Sequence, residues 1–268
     1  MQIFVGSGIT RPTTERLIVA LDTPTLNQAR ELIKQLAPHV GYFKVGSELF
    51  LAAGVQAIEM VKQAGAKVFL DLKFHDIPNT VAKAVEQAVN YGVDMLTIHT
   101  SGGVGMMSAA SEAAAHRAVA LGQSRPLVLG VTVLTSMTDE DLHKEGYAQN
   151  VSELVATRAR LAEQAGIDGL VCSPQELKLV KEKSKLLTVV PGIRPLDRGD
   201  DQKRTSTPAD AIQAGADFLV VGRPITAAPK PWEAALEILA QMKDAAEPQG
   251  LRMQIAASAY DSEKGEQA

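Results

Sequence analysis

The chain has 268 residues, 46% of them hydrophobic but only 4% aromatic, and a formal net charge of -4 from 27 basic and 31 acidic side chains. Its core must therefore come from Val, Ile, Leu and Ala, as in parallel sheets buried on both faces, and no global positive field exists to hold a nucleic-acid backbone. The single cysteine, Cys172, excludes an intrachain disulfide and a multi-cysteine zinc cage, and reads as a small apolar residue buried just after a strand.

Residues 1–15 carry neither a charged n-region nor a sustained apolar stretch and are read as an extension with no assigned function. No later apolar run approaches the ~20 residues needed to span a bilayer, so a cytoplasmic protein with no membrane partner is expected. Short β-branched runs then alternate with longer segments rich in Ala, Glu, Gln and Lys, the signature of repeated βα units. The runs are Leu17 to Leu21, Tyr42 to Val45, Lys67 to Leu70, Met95 to Ile98, Leu127 to Val133, Gly169 to Val171, Leu186 to Val190 and Phe218 to Val221. They make eight strands, the number that closes a (β/α)8 barrel.

Local chemistry marks the boundaries. Asp22-Thr-Pro-Thr25 supplies cap residues before a helix over Leu26 to Leu36, and Ser173-Pro174 is a cap and first-turn pair. Gly65, Gly92, Gly166 and Gly215 each follow a helical stretch and precede a strand, where a left-handed C' residue is expected. An open doubly wound sheet would place a Gly-rich turn after the first strand, and Asp22-Thr-Pro-Thr25 is not one. The expectation is an α/β chain with a single (β/α)8 TIM barrel over residues 16–246 and a frayed polar tail over 247–268.

In such a barrel the chemistry collects at the C-terminal strand ends. The first strand ends in Ala20-Leu-Asp22, the second in Phe43-Lys44-Val-Gly46, the third in Leu70-Asp71-Leu-Lys73-Phe-His-Asp76-Ile-Pro78. Two residues apart on an extended segment, Asp71 and Lys73 share one face, with Asp76 in the loop beyond. Anionic neighbours would hold Lys73 protonated. His75 and His99 lie near strand ends but show no metal-ligand spacing, and structural roles are expected for both.

The stretch Asp71-Leu-Lys73-Phe-His-Asp76-Ile-Pro-Asn-Thr80 matches an Asp-x-Lys-x-x-Asp signature, and the chain here resembles the orotidine 5'-phosphate decarboxylase family. Further matches follow in the family's order: Val19-Ala-Leu-Asp22, Lys44-Val-Gly46, Val131-Thr-Val-Leu-Thr135-Ser136, Pro191-Gly-Ile-Arg194-Pro195, Gln202, and Val221-Gly222-Arg223-Pro224. The resemblance implies conversion of orotidine 5'-phosphate to uridine 5'-phosphate and carbon dioxide without cofactor or metal. It implies that Lys73 faces the developing carbanion and donates a proton to it, that Asp71 lies near the substrate carboxylate, that Lys44 holds Asp71 and a ribose hydroxyl, and that Asp22 binds ribose. It also implies a homodimer in which Asp76 and Thr80 enter the neighbouring subunit's site. Thr135 would border the pyrimidine, and Ser136 beside it is given no role.

Phosphate sites in these barrels form in the loops after the seventh and eighth strands. Arg194 and Gln202 stand in the first of these here, Gly222 and Arg223 in the second. The Arg223 guanidinium suits two phosphate oxygens, Gly222 permits close backbone approach, and the polar stretch Pro195 to Thr207 suits a lid. Magnesium-dependent decarboxylases and aldolases of the same superfamily share Asp-x-Lys-x-x-Asp. The family pattern implies an acidic residue in them near the end of the second strand, where Lys44 here would repel a divalent cation.

Overall fold

The computed structural model describes residues 11–194 and 205–246. Eight strands pair in parallel and close in chain order: β1 (Leu17–Ala20), β2 (Tyr42–Gly46), β3 (Lys67–Phe74), β4 (Met95–His99), β5 (Leu127–Val131), β6 (Gly169–Val171), β7 (Leu187–Val190) and β8 (Phe218–Val221). Around them run α1 (Leu26–Leu36), α2 (Ser47–Ala53), α3 (Val55–Gln63), α4 (Pro78–Asn90), α5 (Gly103–Leu121), α6 (Asp139–Lys144), α7 (Val151–Gln164), α8 (Leu177–Lys183), α9 (Pro208–Gln213), α10 (Arg223–Thr226) and α11 (Pro231–Ala246). The fold is a (β/α)8 barrel. Among the described residues no helix is long and apolar enough to cross a membrane.

Strand alternation divides the apolar residues into two cores. Ile18, Ala20, Tyr42, Phe69, Met95, Leu129, Val189, Phe218 and Val220 point inward and fill the barrel. Their sequence neighbours, among them Val19, Phe43, Val68, Leu70, Leu96, Ile98 and Leu219, point outward beneath the helices. Tyr42 and Phe218 meet edge to face near the floor, with ring centroids 5.9 Å apart. Below them a 3-10 turn at Thr13–Glu15 abuts the barrel: Gly41 N–H donates to the Thr14 carbonyl at 2.8 Å, and Lys67 pairs with Glu15 at 2.8 Å.

The expected turn chemistry is largely present. Thr25 caps α1, accepting from the Gln28 amide, and Gly65, Gly92, Gly166 and Gly215 have φ values of 76°, 67°, 71° and 97°. Three details differ from the sequence-based expectation by more than a single residue. Ser173 accepts from the Gln175 amide and donates to the Glu176 carboxylate, closing a turn, so α8 begins only at Leu177. β5 ends at Val131, with the amide and the hydroxyl of Thr132 both bonded to the Val171 carbonyl beyond it. β3 runs four residues past Leu70, and its register against β4 shifts between Leu70 and Phe74. That shift lies at the functional end.

Candidate active site

The inward-facing rows of the barrel change character toward their C-terminal ends. Two residues above Tyr42 stands Lys44, two above Phe69 stands Asp71, and two above Met95 stands Thr97, so regular alternation puts polar groups in the layer directly over the aromatic floor. Asp22 lies just past the end of β1. Lys44 Nζ donates to Asp22 Oδ1 at 3.0 Å and lies 3.4 Å from Asp71 Oδ2, while Lys73 Nζ donates to Asp71 Oδ1 at 2.9 Å. The result is one unbroken chain of alternating charges, Asp22–Lys44–Asp71–Lys73.

Burial grades along this chain. In the middle the side chains of Lys44 and Asp71 are 11% and 12% exposed, whereas both ends are open to a ligand, Lys73 at 37% and Asp22 at 58%. Burial alone would strip the charge from Lys44, but the carboxylates of Asp71 and Asp22 outweigh it and hold the ammonium above its ordinary pKa. Burial likewise opposes the Asp71 carboxylate, yet Lys44, Lys73 and the Thr97 hydroxyl hold its pKa below the usual range. The central pair is therefore fixed in its charged form.

Lys73 does not reach Asp71 by simple alternation, as the sequence suggested. Its φ is 52°, in the left-handed region, and it is the one non-glycine residue with positive φ among the described residues. The register shift in β3 and this backbone turn bring the ammonium back over Asp71. His75 and His99 lie nearby with their rings tilted 44° to each other and centroids 5.3 Å apart, and His99 is held below its ordinary pKa by burial and by the cationic side chains around it.

The charges open into a cavity of about 460 Å³. Asp22, Lys44, Asp71, Lys73, Thr135, Arg194, Gly222 and Arg223 all line it, over walls supplied by Ala20, Phe69, Val131, Val171 and Val220. Arg194 is buried, its amide bonded to the Ser206 carbonyl at 2.9 Å and its guanidinium to the Ile193 carbonyl at 3.0 Å. Ser206 N–H in turn donates to the Gly192 carbonyl, so residues 192–194 and 206 are clamped together. Arg223, beyond the neighbouring strand β8, is exposed and opens α10 directly after Gly222. Gln202 and most of the expected lid, residues 195–204, lie outside the described residues.

Two of the expected site residues stand apart. Asp76 and Thr80 do not line the cavity; both are exposed, at the start of α4, with Asp76 Oδ1 accepting from the Ile77 amide at 2.7 Å and Ile77 itself 67% exposed. The reading of the sequence also passed over Thr97. Its only signal there is a hydroxyl in a strand that is otherwise apolar from Met95 to Ile98.

The profile of the orotidine 5'-phosphate decarboxylase / HUMPS family matches residues 15–238. The chain is 49% identical to the orotidine 5'-phosphate decarboxylase of Moorella thermoacetica over 85% of its own length and 92% of that protein. It is 48% identical to the enzyme of the same name from Saccharophagus degradans, over 85% and 94% of the two chains. The crystal structure of orotidine 5'-phosphate decarboxylase from Lactobacillus acidophilus superposes with a TM-score of 0.76 at 38% identity, covering 85% of this chain and 99% of that one.

Proposed function

The chain belongs to the orotidine 5'-phosphate decarboxylase / HUMPS family, and from that membership we propose how its barrel mouth carries out the reaction. The reaction is the decarboxylation of orotidine 5'-phosphate to uridine 5'-phosphate and carbon dioxide, the last step of UMP biosynthesis. The bond from C6 of the pyrimidine to its carboxylate breaks, carbon dioxide leaves, and the electron pair stays on C6 in the ring plane, where the ring's π system cannot spread it. A positive charge set in advance beside C6 must stabilise it.

Lys73 is that charge and the proton donor: its ammonium faces C6 and replaces the lost carboxylate with hydrogen. Asp71 sits against the departing carboxylate and keeps Lys73 aimed; Lys44 braces Asp71 and a ribose hydroxyl, and Asp22 takes the ribose. Thr135 borders the pyrimidine. Arg223, Arg194, Gln202 and the Gly222 backbone hold the phosphate. Binding energy from that unreactive group stabilises the closed, water-poor state.

Asp76 and Thr80 complete the site of a second subunit in a homodimer. What supports this is their exposure beside a large exposed apolar residue, Ile77, with no share in the cavity of their own chain. A cytoplasmic location fits a chain with a single cysteine and therefore no intrachain disulfide.

The observation that carries the mechanism is the continuous alternation of Asp22, Lys44, Asp71 and Lys73 at the cavity, joined by two hydrogen bonds and the Lys44–Asp71 ion pair. Purified protein given orotidine 5'-phosphate with excess chelator should deplete the orotate chromophore at the rate seen without chelator. Turnover that stops on chelation and returns with magnesium would sink the metal-free mechanism.

A further inference from the structure

Thr97 makes contacts that no other side chain in the site repeats. It lies on β4, is fully buried, and faces the barrel interior directly above Met95. Its hydroxyl accepts from the backbone N–H of Lys73 at 2.9 Å and donates to Asp71 Oδ1, also at 2.9 Å. The same Asp71 oxygen receives the Lys73 ammonium at 2.9 Å. One hydroxyl therefore grips the main chain of one charged residue and the side chain of the other.

The pairing of β3 with β4 explains why a hydroxyl is needed there. Leu70 pairs with Leu96 and Phe74 with Ile98, so three residues of β3, Asp71 to Lys73, stand opposite Thr97 alone. The surplus forces β3 to bulge, and Lys73 takes its φ of 52° inside that bulge. Regular ladder bonding is interrupted here, and the Thr97 hydroxyl takes up the Lys73 amide. A left-handed conformation at a lysine persists only where its surroundings hold it, and this hydrogen bond is one such hold. Valine would fill the same volume and provide neither bond.

We propose that Thr97 is a positioning residue for the decarboxylation, closing the β3 bulge and thereby fixing the direction of the Lys73 ammonium and the Asp71 carboxylate together. The inference rests on the reading that Asp71 and Lys73 carry the chemistry. Thr97 does not line the cavity, so it acts through those two groups rather than on the substrate.

Two near-isosteric variants separate position from packing. Thr97→Val keeps the volume and loses both bonds; Thr97→Ser keeps both bonds and loses the methyl. Loss of a hydrogen bond to a charged group corresponds to about 10- to 100-fold, so kcat of Thr97→Val should fall by that factor while KM for orotidine 5'-phosphate stays within about threefold. Thr97→Ser should keep kcat within about threefold of the parent, although the lost methyl lowers its melting temperature. The inference is overturned if Thr97→Val turns over like the parent, or if both variants lose activity in step with their melting temperatures. Lys73→Ala, assayed alongside, separates the two layers. An inactive Lys73→Ala beside a normal Thr97→Val would remove only the role of Thr97, whereas an active Lys73→Ala would remove the underlying mechanism and this inference with it.

Discussion

The two ends of the barrel use partly buried carboxylates in opposite ways. At the N-terminal end Asp94, Asp168 and Asp217 each stand two residues after a glycine of positive φ and just before an even-numbered strand. Each accepts the amide of a residue near the start of the preceding odd strand, Val68, Val128 or Thr188, at 2.8 Å. Asp168 and Asp217 add one cation apiece, Arg125 and Lys181, both at 2.6 Å. At the C-terminal end Asp71 takes two ammonium groups and a hydroxyl, and the chain of charge ends on a lysine open to a cavity. The first arrangement spends its carboxylates on backbone donors and locks strand register. The second leaves its charges aimed at one another and at space for a ligand, which costs desolvation that only function repays.

The largest test of this contrast is Lys73→Ala. Removing the charge and proton donor should lower kcat on the order of 10³-fold or more, with the fold intact by circular dichroism, because the barrel floor does not depend on it. Turnover near the parent's would show that the ammonium is part of a structural ion-pair network after all. Arg223→Ala should come next. Loss of a guanidinium from a phosphate corresponds to about 2 to 4 kcal/mol of affinity, read by calorimetry as weaker binding of uridine 5'-phosphate. Unchanged affinity would remove Arg223 from the phosphate site.

Much of the contrast is legible in the sequence, for identifiable reasons. Eight apolar runs and four left-handed glycines show plainly because burial on both faces and a missing Cβ leave strong compositional marks. Asp22, Lys44 and Asp71 can be placed because they continue the inward alternation set by Ala20, Tyr42 and Phe69. The bulge cannot be placed that way. Nothing local in Leu70-Asp-Leu-Lys73 signals a positive φ at a lysine; it follows from β3 carrying more residues than β4 between two shared pairs, a property of two strands together. Thr97 stays hidden for the same reason, since its partners are 24 and 26 residues away in sequence. The carboxylates of the floor are written in the repeated phrases Gly92-Val-Asp94, Gly166-Ile-Asp168 and Gly215-Ala-Asp217. The fourth copy, Gly65-Ala-Lys67, carries a lysine that pairs with Glu15 instead.

The smallest effect is expected at the floor, and its sign distinguishes the two ends most finely. Burial raises the pKa of Asp94, and the Val68 amide and the nearby lysines only partly offset it, whereas Asp71 is held low. A carboxyl raised in the folded state binds its proton more readily there than in the unfolded chain, whose value is about 3.9. Its ionised form therefore costs stability at neutral pH, and that cost disappears as pH falls through the raised folded value. Asp94→Asn keeps an oxygen that can accept from Val68 but carries no charge to desolvate. Measured by urea unfolding, the variant should differ from the parent by ~1 kcal/mol or less, and its stability relative to the parent should be higher at pH 7 than near pH 3.5. Asp71 contributes in the reverse sense: its stabilisation holds at neutral pH and is lost only as pH drops through its depressed value, equally in both proteins, so it cancels from the difference. A deficit in Asp94→Asn that grows toward neutral pH would show that the floor, like the mouth, depends on the charge of its carboxylates, and the contrast between the two ends would fail.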